Sequence, residues 1–155
     1  MRRARSTSRP FVLVVAAADT EDLIVAPLRG YEVDIRVTKN YGGMAEAIFD
    51  DDEHGGRDQP IVFIVDLRIS CGTAAIDARL RDYDTALNAY VLSGRPWPRT
   101  LCLVEVEQTH PTWLRERPHL RATLLADEVE TVVGHPHRRE WRDTFALAVR
   151  RCLTA

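Results

Sequence analysis

The run Ile61-Val62-Phe63-Ile64-Val65, closed by Asp66, limits what this chain can fold into more than any other feature. A strand with one face in water alternates apolar and polar residues. Five apolar residues without alternation therefore belong to a strand covered on both faces, at the centre of a parallel sheet. Phe11 to Val15 and Leu101 to Val104 repeat the pattern. Tyr31 to Thr38 departs from it, because Val33, Ile35 and Val37 alternate with Glu32, Asp34 and Arg36, as expected of an edge or near-edge strand. Ala122 to Leu125 and Val129 to Val133 are further short strand candidates.

Parallel strands need crossovers, and the segments between these runs carry helical periodicity. Glu21 and Asp22 suit the start of a first helix that Pro27 cuts short, and Met44 and Ile48 mark a short amphipathic helix within residues 42–49. Ile76, Leu80, Tyr83, Leu87 and Tyr90 recur at steps of 4, 3, 4 and 3, lining one face of a helix of about five turns. Pro111 opens a short helix bearing Trp113 and Leu114, and Pro118 closes it. Trp141, Phe145, Ala148, Val149 and Cys152 form the stripe of a last helix. The order predicts an α/β fold, a doubly wound five-stranded parallel sheet in a flavodoxin-like three-layer sandwich. Ligand contacts in such a sheet gather at the strand carboxyl ends.

A chain of 155 residues fits one core, so residues 11–155 are read as a single domain and residues 1–10, with Arg2, Arg3, Arg5 and Arg9, as a flexible tail. Twenty-three acids against 21 bases give a net charge of -2, without the positive field that non-specific nucleic-acid binding requires. No apolar run approaches the roughly 20 residues of a membrane span, and the first ten residues lack the apolar stretch of a signal peptide, so a cytoplasmic protein is expected. Cys71, Cys102 and Cys152 are odd in number and form no C-x-x-C pair, which signals neither a disulfide framework nor a zinc site. His135 and His137 flank Pro136 with Asp127 and Glu128 nearby, but a spacing of two across a proline is no helical ligand pattern and a polar turn explains them, so no metal or other cofactor is expected.

In five places the sequence resembles the receiver domain of bacterial two-component signalling. Val12-Leu13-Val14-Val15 matches the first strand, Gly30-Tyr31-Glu32-Val33 leads the second, and Val65-Asp66-Leu67-Arg68 closes the third. Ala126-Asp127-Glu128-Val129 and His135-Pro136 stand where the family has an Ala-Asp-Asp/Glu segment and then Lys-Pro. The resemblance makes Asp66 the equivalent of the phospho-acceptor and His135 that of the lysine. The departures bear on function. Ala16, Ala17 and Ala18 occupy the stretch where receivers carry an acidic pair for magnesium, a hard ion that needs carboxylate oxygens, and Val104-Glu105 replaces the Ser or Thr. The resemblance thus implies a pseudo-receiver without phosphotransfer, a regulatory module acting through a protein partner or as a homodimer. Receivers commonly dimerise through elements after the fourth strand, which points to Trp113 and the last helix, and the long helix adds Tyr83 and Tyr90. Trp97, in a proline-bounded loop, is a further contact candidate.

A rival reading is enzymatic. Asp66 and Glu105 should both emerge at the carboxyl edge, where two carboxylates in a dry cleft can serve as general acid and base. The plainer alternatives are that Asp66 caps a turn or pairs with Arg68, and that Glu105 pairs with an arginine. Asp66, Ser70-Cys71-Gly72-Thr73 and Asp77 also resemble the Asp…Ser-Gly-Thr-x-x-Glu stretch of nucleoside deoxyribosyltransferase-like enzymes, with Asp77 one residue late for the nucleophile. That implies a small nucleoside- or nucleotide-processing hydrolase or transferase. Cys71 at a helix start is a minor nucleophile candidate. The fold variant that forms the amino-terminal wing of PLP-dependent lysine, arginine and ornithine decarboxylases is a third resemblance. This chain is too short for their catalytic fold and its only lysine is Lys39, so it fits there only as an excised domain.

Overall fold

The structure is a computed structural model that describes residues 11–16, 20–38, 43–44, 46–47, 61–92 and 98–154. Five strands, β1 (Phe11–Val15), β2 (Asp34–Thr38), β3 (Ile61–Asp66), β4 (Arg99–Val104) and β5 (Val129–Val133), build one all-parallel sheet in the order β2-β1-β3-β4-β5. The unalternated runs take the three interior places, since a strand buried on both faces has no use for polar side chains. The alternating β2 lies at one edge, with Asp34 and Arg36 exposed.

The pleat divides the core into two layers. Leu13, Val15, Phe63 and Val65 face the helix Thr73–Leu92, which buries Ile76, Leu80, Tyr83 and Tyr90 against them. Val12, Val14, Ile64 and Leu101 face the other side, under Ile24 and Leu28 and under Trp141, Phe145 and Val149 of the helix Arg139–Thr154. Helices therefore cover both faces, the doubly wound three-layer arrangement that the alternation of strands and helices requires. Among the described residues no helix is long and apolar enough to cross a membrane.

One segment corrects the sequence reading. Ala122 to Leu125 is not a strand but the second half of the helix Pro118–Leu125. Pro118 ends the preceding helix Pro111–Arg115 and also occupies the first turn of the next, where its missing N–H is not needed. Leu120 and Thr123 are buried and Leu124 is half-buried, the latter two lying three and four residues after Leu120 on one helical face. A four-residue apolar run does not separate strand from helix by periodicity alone.

Strand order reverses between β1, which pairs with β2 on one side, and β3, which continues to β4 and β5. In open sheets of this kind the crossovers on opposite sides part at that point, the carboxyl ends of β1 and β3. Ala16 follows β1 at this edge, and Asp66 ends β3.

Candidate functional site: a sealed carboxylate at the sheet edge

Asp66 is fully buried, and Arg68, two residues on, is only 2% exposed. The extended backbone of Arg68 (φ -66°, ψ 140°) lets its side chain fold back on the strand end. Its guanidinium takes both carboxylate oxygens in a fork, Nε to Oδ1 at 2.8 Å and Nη2 to Oδ2 at 2.8 Å. The Arg68 backbone N–H donates to Oδ1 at 3.2 Å, and Nη2 also donates to the buried Thr20 hydroxyl at 3.1 Å. Arg79 Nη1 donates to the Asp66 carbonyl at 2.7 Å. Two ions buried together are tolerated only with this kind of bidentate geometry and satisfied donors.

A second bridge closes the edge between β3 and β4. The Leu67 N–H donates to the Leu103 carbonyl at 2.9 Å, carrying the ladder one residue past the strand. Gln108, fully buried, then joins the two loops. Its Oε1 accepts from the N–H groups of Ile69 (2.8 Å) and Glu105 (2.9 Å), and its Nε2 donates to the Leu67 carbonyl at 2.7 Å. Glu105 caps the short 3₁₀ turn Val106–Thr109 in a reciprocal capping box with Gln108, and its Oε2 accepts from the Ser70 N–H at 2.7 Å. Asp66 and Glu105 thus share an edge, and each carboxylate accepts from its own donors.

The other candidates are dispersed. Asp77 is exposed in a cleft of about 460 Å³ between the first turns of Thr73–Leu92 and residues 116–120, with Glu116, Arg117 and His119 on its rim. His135 is exposed, stacks on His137 at 4.9 Å, and accepts from the His137 N–H through Nδ1 at 3.3 Å. Trp113 is half-buried beneath the Arg117 guanidinium, 3.9 Å from its ring centroid, and its carbonyl accepts from Arg117 Nη1 at 3.0 Å. Tyr83 and Tyr90, expected at an interface, are core residues instead: both pack edge-on to Phe63, and the Tyr83 hydroxyl meets Thr100 Oγ1 at 2.8 Å. The stripe that contains them is the one that covers the sheet. Trp97, Lys39, residues 17–19 and the Cys71 side chain lie outside the described residues. Cys102 and Cys152 are buried, and burial pushes their thiols up to about 12 and about 11, a state without thiolate at neutral pH.

Among the described residues the set around Asp66 does not fit magnesium. A guanidinium holds both oxygens, and the neighbouring Ala16 is buried and supplies no oxygen ligand from its side chain. Among the described residues no group of three or more His, Cys, Asp or Glu is placed to hold any metal ion. Comparison with protein-family models, with curated proteins and with solved structures finds no match. Sequence reasoning did not single out Gln108, Thr20 or Arg79. The acid–amide spacing Glu105-x-x-Gln108 signals a cap at that point, whereas the bridge to Leu67 and Ile69 has no local signature.

Proposed function

We propose that the chain is a receiver-like regulatory module of the cytoplasm that works by binding a protein partner or a second copy, without phosphotransfer. One observation carries this reading: the buried fork between Asp66 and Arg68. An aspartate can attack phosphorus only through an oxygen that the donor reaches in line, with cations positioned on the transferring group. Here both oxygens are held inside the protein, and exposing one means separating a buried ion pair. The guanidinium supplies as a fixed part of the chain the positive charge that a metal supplies elsewhere, so the carboxylate is satisfied with no ligand to await.

Contact is left as the working principle, and the outer side of residues 111–125 and the last helix offers surface for it, with Leu125 69% and Leu147 51% exposed. The test is incubation with acetyl phosphate and Mg²⁺ followed by intact-mass measurement. No phosphoryl increment is expected. A stable acyl phosphate mapped to Asp66 overturns the reading.

A further inference from the structure

We infer that the groove between the helices Pro111–Arg115 and Pro118–Leu125 docks an acidic, amphipathic helical peptide of a partner protein. The inference rests on the contact role proposed above and names the chemistry of the partner. The groove encloses about 410 Å³ and is walled by Pro111, Leu114, Pro118, Leu124 and Leu125. Leu125 leaves 69% of its surface in water. Covering such aliphatic surface is favourable by roughly 25 cal/mol per Å², and an apolar groove between helices accepts side chains spaced i, i+3 or i+4, and i+7 along a second helix.

Charge selects the occupant. Arg115 and Arg121 line the same groove, both are exposed, and neither has an acidic partner among the described residues. Glu116, the only acid in residues 109–125, lines the other cleft beside Arg117, 4.0 Å from its Nη1. Arg115 and Arg121 thus place positive charge on the rim itself, while Glu107, Asp127 and Glu128 lie in the residues that flank 109–125. An apolar floor with an unpaired basic rim complements apolar anchors flanked by Glu or Asp. The last helix of a second copy is a poor fit, because it carries Arg139, Arg142, Arg150 and Arg151 against Glu140 and Asp143, a net charge of the same sign as the rim. A nucleic acid finds no aromatic stacking platform among the groove residues.

The experiment uses the full chain and a fluorescent probe peptide of about four helical turns, with Leu at the i, i+3 and i+7 positions, Glu on its flanks and Ala elsewhere. A Lys-for-Glu analogue and a scrambled sequence serve as controls. Anisotropy is expected to show micromolar binding of the acidic probe, weakened by salt. The double variant Arg115→Glu with Arg121→Glu should lose about tenfold or more in affinity, and Leu125→Ser a smaller factor. All three side chains are exposed, so thermal melts of the variants should match the parent. No binding at millimolar peptide, equal binding of the basic or scrambled probe, or full affinity in the double variant each overturns the proposal. So does a dimer in sedimentation that the double variant dissociates, which makes a second copy the occupant. A phosphoryl adduct on Asp66 would overturn the reading of the sealed carboxylate while leaving the peptide result standing, so the two failures are distinguishable.

Discussion

Removing either partner of the Asp66–Arg68 pair leaves a charge stranded where water does not reach. Arg68→Met keeps an unbranched apolar stem and deletes the guanidinium, so Asp66 loses the donors at Nε and Nη2, and Thr20 loses one as well. Breaking a buried pair in this way costs about 3–5 kcal/mol, whereas replacing both ions with apolar groups of similar volume is often neutral. Urea denaturation at pH 7 should show that loss for Arg68→Met and recovery of most of it in the double variant Asp66→Leu with Arg68→Met. A single variant within 1 kcal/mol of the parent would mean that water reaches the pair after all. The position of Asp66 was legible, because an acid directly after the most apolar run must sit at the carboxyl edge of a central strand. Its pairing with Arg68 was legible only as the plainer of several alternatives. The bridge that Gln108 makes was not legible: its partners Leu67 and Ile69 lie 41 and 39 residues away, and only the folded β3–β4 neighbourhood brings them together.

Periodicity carries the sequence to its elements where a run is long enough to show a period, and loses them where it is short. The stripe Ile76, Leu80, Tyr83 and Tyr90 is one helical face, as its spacing predicts, yet the tyrosines expected at an interface are buried in it. A face that covers a sheet cannot also cover a neighbour, and tyrosine is admitted to the core here because Thr100 accepts or donates at its hydroxyl. The connection from β5 to the helix Arg139–Thr154 shows how one residue places an element. Gly134 has φ +127°, a conformation that side chains rarely adopt, and its N–H donates to the Val104 carbonyl at 2.9 Å. A Cβ there would stand 3.3 Å from Trp141 Cδ1, on a ring that itself stacks on Phe145. Gly134→Ala therefore meets backbone strain and a tight contact at once. It should lower stability by about 1–3 kcal/mol, read as a shifted denaturation midpoint. The near-ultraviolet circular dichroism of the Trp141–Phe145 stack should change with it. An unchanged midpoint would place the turn outside the cooperative fold.

Whole-molecule cooperativity can be followed through two thiols that occupy opposite layers, Cys102 against the Thr73–Leu92 side and Cys152 against the Arg139–Thr154 side. Burial raises Cys102 from 9.0 to about 12 and, with help from Glu130, Cys152 from 9.0 to about 11. Burial also raises the Tyr83 hydroxyl. In each case the folded chain keeps a proton at a pH where the unfolded chain has released it. Below pH 9 both states are protonated and the contribution is complete. As pH rises from 9 toward 11 for Cys152 and toward 12 for Cys102, the unfolded state binds fewer protons and stability falls. The slope from the fully buried Cys102 alone is about 1.4 kcal/mol per pH unit. Urea midpoints measured between pH 8 and pH 10.5 should therefore decline steeply. Cys102→Val, similar in size and without a titrating group, should flatten the decline and leave the shallower part owed to Cys152 and Tyr83. An unaltered slope in that variant would mean that Cys102 ionises in place, with its layer open to solvent. Because the two thiols are separated by the sheet itself, a single transition that releases both protons together requires the layers to come apart as one unit, whereas two separate alkaline transitions would show one helical layer leaving while the other stays on the sheet.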